Sequence, residues 1–201
     1  KSALDITLGT IREVGSLVQS RFNSAKEISR KGPFDLVTDV DFLAEHYIKD
    51  TLEKEFPNIG YLGEELGSRA GSTGMRWIVD PVDGTRNFAA NVPHFAISLA
   101  LVNCNEILLG ATYDPMRDEL FHAVKEEGAF LNGKPIYVTR RSAISESILG
   151  FDVGGMDIRA LSAFKMIKSL WPGMQSVRIM GSATLGLAYA AAGRLDVYFH
   201  H

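Results

Sequence analysis

The spacing of the apolar residues changes twice along this 201-residue chain, and that change restricts the fold more than any other feature. Up to residue 56 the apolar side chains recur at three- and four-residue steps, which is typical of amphipathic helices. Over residues 59–140, short apolar runs of strand length are separated mostly by Gly, Asn, Pro or charged turns. Beyond residue 140, strand-like and helix-like segments alternate. The pattern predicts a mixed fold with an α+β part followed by an α/β part.

Two helices are predicted at the start of the chain. The apolar stripe of the first consists of Leu4, Leu8, Ile11, Val14, Val18 and Phe22. The stripe of the second consists of Phe42, Leu43, Tyr47, Ile48, Leu52 and Phe56, and it ends before Pro57, which cannot continue a helix. Both helices are expected to lie on one face of the sheet that follows.

The middle segment predicts one largely antiparallel sheet. Its strand-like runs are IGYLGEE, MRWIVDP, HFAISLALV, EILLGATYD, ELFHAVK and PIYV. Asn132 and Gly133 form a dipeptide that favours a tight hairpin turn. Residues 65–74 are small and polar, which predicts a mobile loop and suggests a lid that depends on bound metal.

The last segment predicts a second subdomain in which SILGFDV, SVRIMG and RLDVYF are strands and DIRALSAFKMIKSLW and SATLGLAYAAAG are helices. We therefore divide the chain into an α+β subdomain at residues 1–140, with the candidate site, and the beginning of an α/β subdomain at residues 141–201. The final strand stops without a turn or cap, so we expect further sequence beyond His201.

Composition argues against several kinds of partner. The net charge is -3 and there is no run of Lys and Arg, which predicts neither nucleic-acid binding nor attraction to an anionic membrane. No apolar run approaches the roughly 18 residues of a membrane-spanning helix. Cys104 is the only cysteine, which excludes an internal disulfide and a thiolate metal cluster and fits a reducing compartment. We expect a cytoplasmic protein.

Carboxylates are concentrated at the predicted ends of strands or starts of helices. They are Asp35, Asp39 and Asp41 in DLVTDVD, Glu64 and Glu65 in GEE, and Asp80 and Asp83 in DPVDGT. Asp39 or Asp41 could instead cap the second helix, and the glutamates could lie on a solvated loop edge. Asp80 directly follows the apolar stretch 77–79, so it needs a partner, because an unpaired buried charge costs several kcal/mol.

The residue types in DPVDGT favour hard cations and a phosphate. No histidine or cysteine lies at ligand spacing nearby, whereas clustered carboxylates with a backbone carbonyl suit Mg²⁺. Asp80, the Val82 carbonyl and Asp83 could face the same ions, while Gly84 and Thr85 could seat an anion at the start of a short helix. Two or more Mg²⁺ ions about 4 Å apart would then promote phosphoryl transfer to a water that Glu64 and Thr85 hold.

These motifs resemble those of the inositol monophosphatase family, which is related to fructose-1,6-bisphosphatase. The resemblance covers DLVTDVD, GEE, WIVDPVDGTRNF, GAFLNGKPI and GSATLGLAYAAAGRLDVYF, in that order. It implies a layered α-β-α-β-α sandwich and a lithium-sensitive phosphatase that uses two to three Mg²⁺ ions. It also implies a small polyol or sugar phosphate as substrate and a homodimer as the assembly.

The resemblance also implies roles for individual residues. Glu64, Asp80 and the Val82 carbonyl would hold one metal, Asp80 and Asp83 a second, and Glu64 with waters a third. Asp41 and Thr85 would lie beside the attacking water, and Gly84 and Thr85 would contact the phosphate. Gly181, Ser182 and Ala183 would line the organic part of the substrate. Lys31 would be the counterpart of a basic residue of the family.

The chain departs from the family pattern in three places. The later Trp-Asp motif, which completes the second metal site, is not found up to His201; we expect it in further sequence, and without it activity would be low. His200 stands where inositol-preferring members carry a glutamate, and Arg86 stands where many carry threonine. With Arg178 and Arg194, Arg86 leaves a bisphosphate such as fructose 1,6-bisphosphate open as the substrate. Histidinol phosphate and 3′-phosphoadenosine 5′-phosphate are further alternatives. A non-catalytic module that binds metal or phosphate is the alternative from another class.

Overall fold

A computed structural model describes residues 2–24, 26–32, 35–155 and 157–200. The helices are α1 (Ala3–Arg21), α2 (Asp39–Glu55), α3 (Thr85–Ala89), α4 (Ile158–Leu170) and α5 (Ala183–Ala191). The strands are β1 (Ile28–Gly32), β2 (Asp35–Thr38), β3 (Gly60–Gly63), β4 (Ser68–Arg69), β5 (Met75–Asp83), β6 (Ala96–Asn103), β7 (Glu106–Asp114), β8 (Glu119–Val124), β9 (Gly128–Leu131), β10 (Lys134–Pro135), β11 (Ile148–Asp152), β12 (Ser176–Arg178) and β13 (Val197–His200). In the described part of the chain, no helix is both long enough and apolar enough to cross a membrane.

The elements stack as a five-layer α-β-α-β-α sandwich, as the sequence predicts. An eight-stranded sheet in the order β10-β9-β8-β7-β6-β5-β3-β4 has α1 and α2 on one face. Helix α5 lies between this sheet and a parallel three-stranded sheet in the order β12-β11-β13. Alternate residues of β11 point to α5 and to α4, since Ile148 packs in the α5 cluster and Leu149 in the α4 cluster. The second sheet is therefore covered on both faces.

The large sheet is antiparallel except at one pair of strands. β3 and β5 run parallel, with Gly63 opposite Val79, and all other neighbours in that sheet run antiparallel. This parallel pair brings the carboxyl end of β3 beside DPVD. The predicted Asn-Gly turn joins β9 to β10, with φ at 49° for Asn132 and 76° for Gly133, as a type I′ turn requires.

The predicted stripe of α2 is only partly correct. Phe42, Leu43 and Tyr47 are 40–42% exposed, whereas Ile48 and Leu52 lie on the buried face as predicted. That face is formed by Val40, Asp41, Ala44, Glu45, Ile48 and Leu52. Because the buried face includes two carboxylates, a stripe chosen by hydrophobicity alone is shifted around the helix.

Two predicted loops contain strands. The segment before α2, for which no strand is predicted, contains β1 and β2, which pair antiparallel; the side chains of Lys31 and Asp35 lie outside the described residues. Residues 65–74, predicted to be mobile, include β4, which pairs with β3. Arg69 anchors this segment by donating to Glu53 at 2.8 Å and to the Ile59 carbonyl at 2.7 Å.

The sheets change character between Pro135 and Ile148. The eight-stranded sheet ends at β10, and the all-parallel sheet begins at β11. This change supports the proposed division at residue 140, although α5 packs against both sheets and holds the two parts together.

Candidate active site

Glu64 and Asp80 meet where β3 ends beside β5. The parallel register places Gly63 opposite Val79, so each carboxylate follows a paired residue at the same edge of the sheet. Burial raises the pKa of Asp80 well above its usual range, and the charges of Asp83 and Glu64 raise it further. A hydrogen bond with Glu64 acts in the same direction, while the Val82 amide lowers the pKa by donating to Asp80 at 3.2 Å. Ionised Asp80 is therefore destabilised in the metal-free fold.

Asp41 and Thr85 form the second part of the site. Asp41 is the third residue of α2, where its carboxylate closes a capping box by accepting from the amide and hydroxyl of Thr38. Its other oxygen lies 3.1 Å from the Thr85 hydroxyl, which is also 3.0 Å from the Val82 carbonyl. Burial raises the pKa of Asp41; the hydrogen bonds from Thr38 and Thr85 lower it, and the charge of Glu64 raises it. Asp41 is thus both a helix cap and a neighbour of Thr85.

Asp83 joins the two sheets through the start of α5. One carboxylate oxygen accepts from the Ser182 hydroxyl at 2.5 Å, the Thr184 hydroxyl at 2.6 Å and the Thr184 amide at 2.8 Å. The other accepts from the Ala183 amide at 3.3 Å. A carboxylate at a helix N-terminus is favourable because it meets unpaired amides and the positive end of the dipole. Asp83 therefore contributes to the structure whether or not it also binds metal.

Gly84 is required where the two parts of the chain approach each other. Its φ is +96°, and a Cβ placed on it would lie 3.0 Å from the Gly181 carbonyl and 3.2 Å from the His94 carbonyl. Asn87 closes the same junction by donating to the carbonyls of His94 and Met180, each at 2.8 Å. The backbone of Gly84 thus lies directly against the segment predicted to line the substrate.

A cleft of about 250 Å³ opens beside this junction. Its lining consists of Leu36, Asp83, Gly84, Thr85, Arg86, Asn87, Asp152, Val153, Gly154, Gly181, Ala183 and His200. Within the predicted segment at residues 181–183, Ser182 is outside this lining, because its side chain is buried and faces Asp83. A larger groove, of about 360 Å³, lies between the large sheet and α5, but no carboxylate lines it.

The donor set suits Mg²⁺ better than a soft metal. Carboxylates and a backbone carbonyl are hard oxygen donors, and the charge repulsion at Asp80 would be relieved by a cation. Within residues 2–24, 26–32, 35–155 and 157–200, no three His, Cys, Asp or Glu side chains converge tightly enough to form a metal cage.

Two buried carboxylates of the site have no counterpart among the predicted residues. Glu45 on α2 accepts from the backbone that follows Glu64. Asp152, at the end of β11, accepts from the amides of Met180 and Gly181 at 2.9 and 2.7 Å and from the Tyr198 hydroxyl at 3.0 Å. Only a charge within an otherwise apolar run could have suggested Asp152, which interrupts SILGFDV.

Arg194 is not available for a phosphate. Its guanidinium makes a bidentate pair with Glu119, with both distances at 2.6 Å, and it lies over the rings of Tyr189 and Phe121. Arg178 is exposed and donates to the carbonyl of Val177. Arg86 does line the cleft. The sequence-based suggestion that all three arginines recognise phosphate is therefore supported for Arg86 alone.

Arg194→Lys should lower stability without lowering activity. Lysine loses the bidentate geometry and the stacking on Tyr189, so we expect the free energy of unfolding to fall by about 1 kcal/mol. Urea unfolding and phosphate release measured on the same samples test this. A Michaelis constant that rises severalfold for every phosphate ester would contradict the structural role and restore Arg194 as a substrate residue.

The family model described as inositol monophosphatase family matches residues 2–201. The chain belongs to the inositol monophosphatase family. It is 34% identical over 202 residues to inositol monophosphatase 1 of Solanum lycopersicum, covering 98% of this chain and 74% of that protein. It is 37% identical over 201 residues to the Nus factor SuhB of Escherichia coli, covering 98% of this chain and 75% of that protein.

Solved structures of the family share the fold. The SuhB protein of Bartonella henselae matches with a TM-score of 0.95 at 30% identity, covering 100% of this chain and 78% of that one. The inositol monophosphatase of Thermotoga maritima matches with a TM-score of 0.89 at 33% identity, covering 98% and 75%. SaIMPase-II with bound inositol monophosphate matches with a TM-score of 0.78 at 30% identity, covering 97% and 71%, and it has also been solved with 2′AMP. Family membership makes this chain a phosphatase.

Proposed function

We propose that this chain is a Mg²⁺-dependent phosphomonoesterase that hydrolyses a small polyol or sugar phosphate with water as the nucleophile. One observation carries the proposal: the mutually repelling carboxylates Glu64 and Asp80 lie near the Asp41–Thr85 pair, and Asp80 is four residues before Gly84 in the same segment. This combines a place for cations, a hydroxyl for a water and a backbone seat for a phosphate.

The proposed metal ligands are Glu64, Asp80 and the Val82 carbonyl for one ion, and Asp80 and Asp83 for a second. We propose two to three ions in all, the third of which would be held by Glu64 and waters. Bound Mg²⁺ supplies a Lewis acid that neutralises the charge developing on the phosphoryl oxygens. In the metal-free protein the negative charges of the acidic cluster repel one another, and bound cations would balance them.

Thr85 and Asp41 would orient the water. The Thr85 hydroxyl lies between the Asp41 carboxylate and the Val82 carbonyl, so it can donate a hydrogen bond to either oxygen while its lone pair accepts a hydrogen bond from the water. Glu64 is the proposed base for the one proton that the water loses as it attacks phosphorus. Gly84 and Thr85 would present their backbone to the phosphate.

The cleft supports a small substrate and points to one specificity residue. SaIMPase-II binds inositol monophosphate and 2′AMP, which are both small phosphate monoesters. Arg86 is exposed on the cleft wall, and its guanidinium is 3.4 Å from the Gly154 carbonyl. Arginine can bind a second phosphate through two parallel hydrogen bonds, so a bisphosphate is the leading alternative substrate. His200, also on the wall, is a proposed contact for the organic part.

Phosphate release from a panel of esters tests the proposal. The panel contains inositol 1-phosphate, fructose 1,6-bisphosphate, histidinol phosphate and 3′-phosphoadenosine 5′-phosphate, each with Mg²⁺ and with a chelator. We expect Mg²⁺-dependent release from at least one ester, and Arg86→Gln should lower kcat/KM for a bisphosphate about tenfold more than for a monophosphate. A rise in thermal stability with Mg²⁺ but no release from any ester would favour the non-catalytic module.

Three further expectations rest on the family. We propose a homodimer, lithium inhibition and a cytoplasmic location. Analytical ultracentrifugation measures the first, and phosphate release in the presence of LiCl measures the second. A monomer at micromolar concentration, or release insensitive to lithium, would overturn the respective proposal.

A further inference from the structure

Glu45 is a buried carboxylate that the proposed chemistry does not use. It lies on α2, one helical turn beyond Asp41, and its side chain is fully buried. Its two oxygens accept from the Glu65 amide at 2.6 Å, the Leu66 amide at 2.9 Å and the Tyr61 hydroxyl at 3.1 Å. A buried carboxylate is costly unless it is hydrogen-bonded, and here it accepts from the turn that directly follows Glu64.

The sequence of that turn is adapted to Glu45. A Cβ placed on Gly63 would lie 1.7 Å from a carboxylate oxygen of Glu45, so the absence of a side chain at Gly63 makes room for the carboxylate. The turn is also closed by the Gly63 amide, which donates to the Gly67 carbonyl at 2.9 Å. Residues 63–66 therefore wrap around one charged group, which holds Glu64 from both sides.

Helix α2 connects the two halves of the candidate site. Asp41 and Glu45 are four residues apart and lie on the same face of the helix. Asp41 contacts the Thr85 hydroxyl, and Glu45 contacts the backbone beyond Glu64. The separation between Glu64 and Thr85 is thus determined by two side chains of one rigid element.

We propose that Glu45 is a positioning residue that fixes Glu64 relative to Asp80 and Thr85 and thereby determines the affinity for Mg²⁺ and the rate of turnover. Glu45 itself touches neither substrate nor metal. The inference rests on the proposed function. It predicts a defect that appears in metal binding and in kcat, while the Michaelis constant for substrate stays close to that of the parent.

Glu45→Gln and Tyr61→Phe form a matched pair that tests the proposal. Glutamine has the same size but replaces one acceptor oxygen with a donor, so it cannot accept from both amides of the turn. Tyr61→Phe removes the third hydrogen bond to the same carboxylate and leaves the turn untouched. We expect Glu45→Gln to weaken Mg²⁺ binding, measured by titration calorimetry with MgCl₂ alone, by about 10- to 100-fold, with a matching loss of kcat that excess Mg²⁺ partly restores. Tyr61→Phe should leave both quantities unchanged.

Two results would overturn the proposal. One is parental Mg²⁺ affinity and kcat in Glu45→Gln; the other is an equal loss in both variants, which would reflect general destabilisation. If Glu45→Gln does not fold, Glu45→Asp replaces it, because aspartate keeps the charge but withdraws the carboxylate by one methylene from both amides. These results can be told apart from a failure of the proposed function. If the proposed function is wrong, the parent releases no phosphate, and the calorimetric comparison of Mg²⁺ binding still decides the role of Glu45.

Discussion

Asp80→Asn is expected to abolish phosphate release while leaving the metal-free fold at least as stable as the parent. The carboxylate of Asp80 is the proposed bridge between two ions, and losing it removes several kcal/mol of stabilisation of the transition state. We expect kcat to fall by at least about 1,000-fold. Asparagine keeps the size of the side chain and one oxygen that can still accept from the Val82 amide.

The stability of Asp80→Asn follows from the raised pKa of the parental carboxylate. Because the pKa of Asp80 is raised above 3.8 in the folded protein, ionisation destabilises the fold. In the metal-free parent this loss of stability begins as the pH rises above 3.8 and is complete above the raised pKa. The asparagine side chain does not ionise, so that part of the pH dependence should disappear.

Thermal unfolding with and without Mg²⁺, between pH 4 and pH 8, measures these effects. Mg²⁺ should raise the melting temperature of the parent and should have little effect on Asp80→Asn. The matched control is Asp50→Asn, on the exposed face of α2, which should behave as the parent. Turnover by Asp80→Asn at the parental rate would contradict the proposed metal site and with it the mechanism.

Asp83→Asn, three residues further along, is expected to have the opposite effect on stability. The carboxylate of Asp83 accepts two hydroxyl and two amide hydrogen bonds from the start of α5. An amide group in its place would point a donor at donors and leave part of them unsatisfied. Hydrogen bonds to a charged group contribute about 1.5–3 kcal/mol, so we expect the free energy of unfolding to fall by about 2–3 kcal/mol. Activity should also fall, because the junction at Gly84 shifts.

Urea unfolding of metal-free protein measures this loss. Thr184→Val is the control, because it removes one hydroxyl donor at 2.6 Å and keeps the backbone amide, so its loss should be about 1 kcal/mol. The prediction fails if Asp83→Asn is as stable as the parent.

The two aspartates illustrate what a local pattern can and cannot predict. DPVD presents Asp80 and Asp83 as equivalent carboxylates, and the family resemblance gives both to metal. Their surroundings differ because α5, whose first residue Ala183 is a hundred residues away, places its first turn against only one of them. Pairs so distant in sequence leave no signal in spacing.

The buried face of α2 shows that a hydrophobic pattern does not predict which charged residues are buried. Periodicity correctly predicted the helix, nearly its length and the burial of Ile48 and Leu52, but it also placed the exposed Phe42, Leu43 and Tyr47 on the core face. The fold also buries Asp41 and Glu45. Asp41 accepts a hydrogen bond from the Thr38 amide, and Glu45 accepts one from the Glu65 amide. Charge burial depends on partners supplied by other elements, so hydrophobicity scales assign such residues to the surface.

Local spacing and turn chemistry predict the order and type of most elements, the Asn-Gly turn and an acidic, phosphate-compatible motif at the end of a strand, because these need only neighbouring residues. The family resemblance adds the five-layer fold. Four contacts are visible only in the folded molecule: Glu64 meets Asp80, Asp83 holds α5, Arg194 pairs with Glu119, and Glu45 lies beneath the Gly63 turn. Each of these depends on the register of strands or the docking of helices that are far apart along the chain.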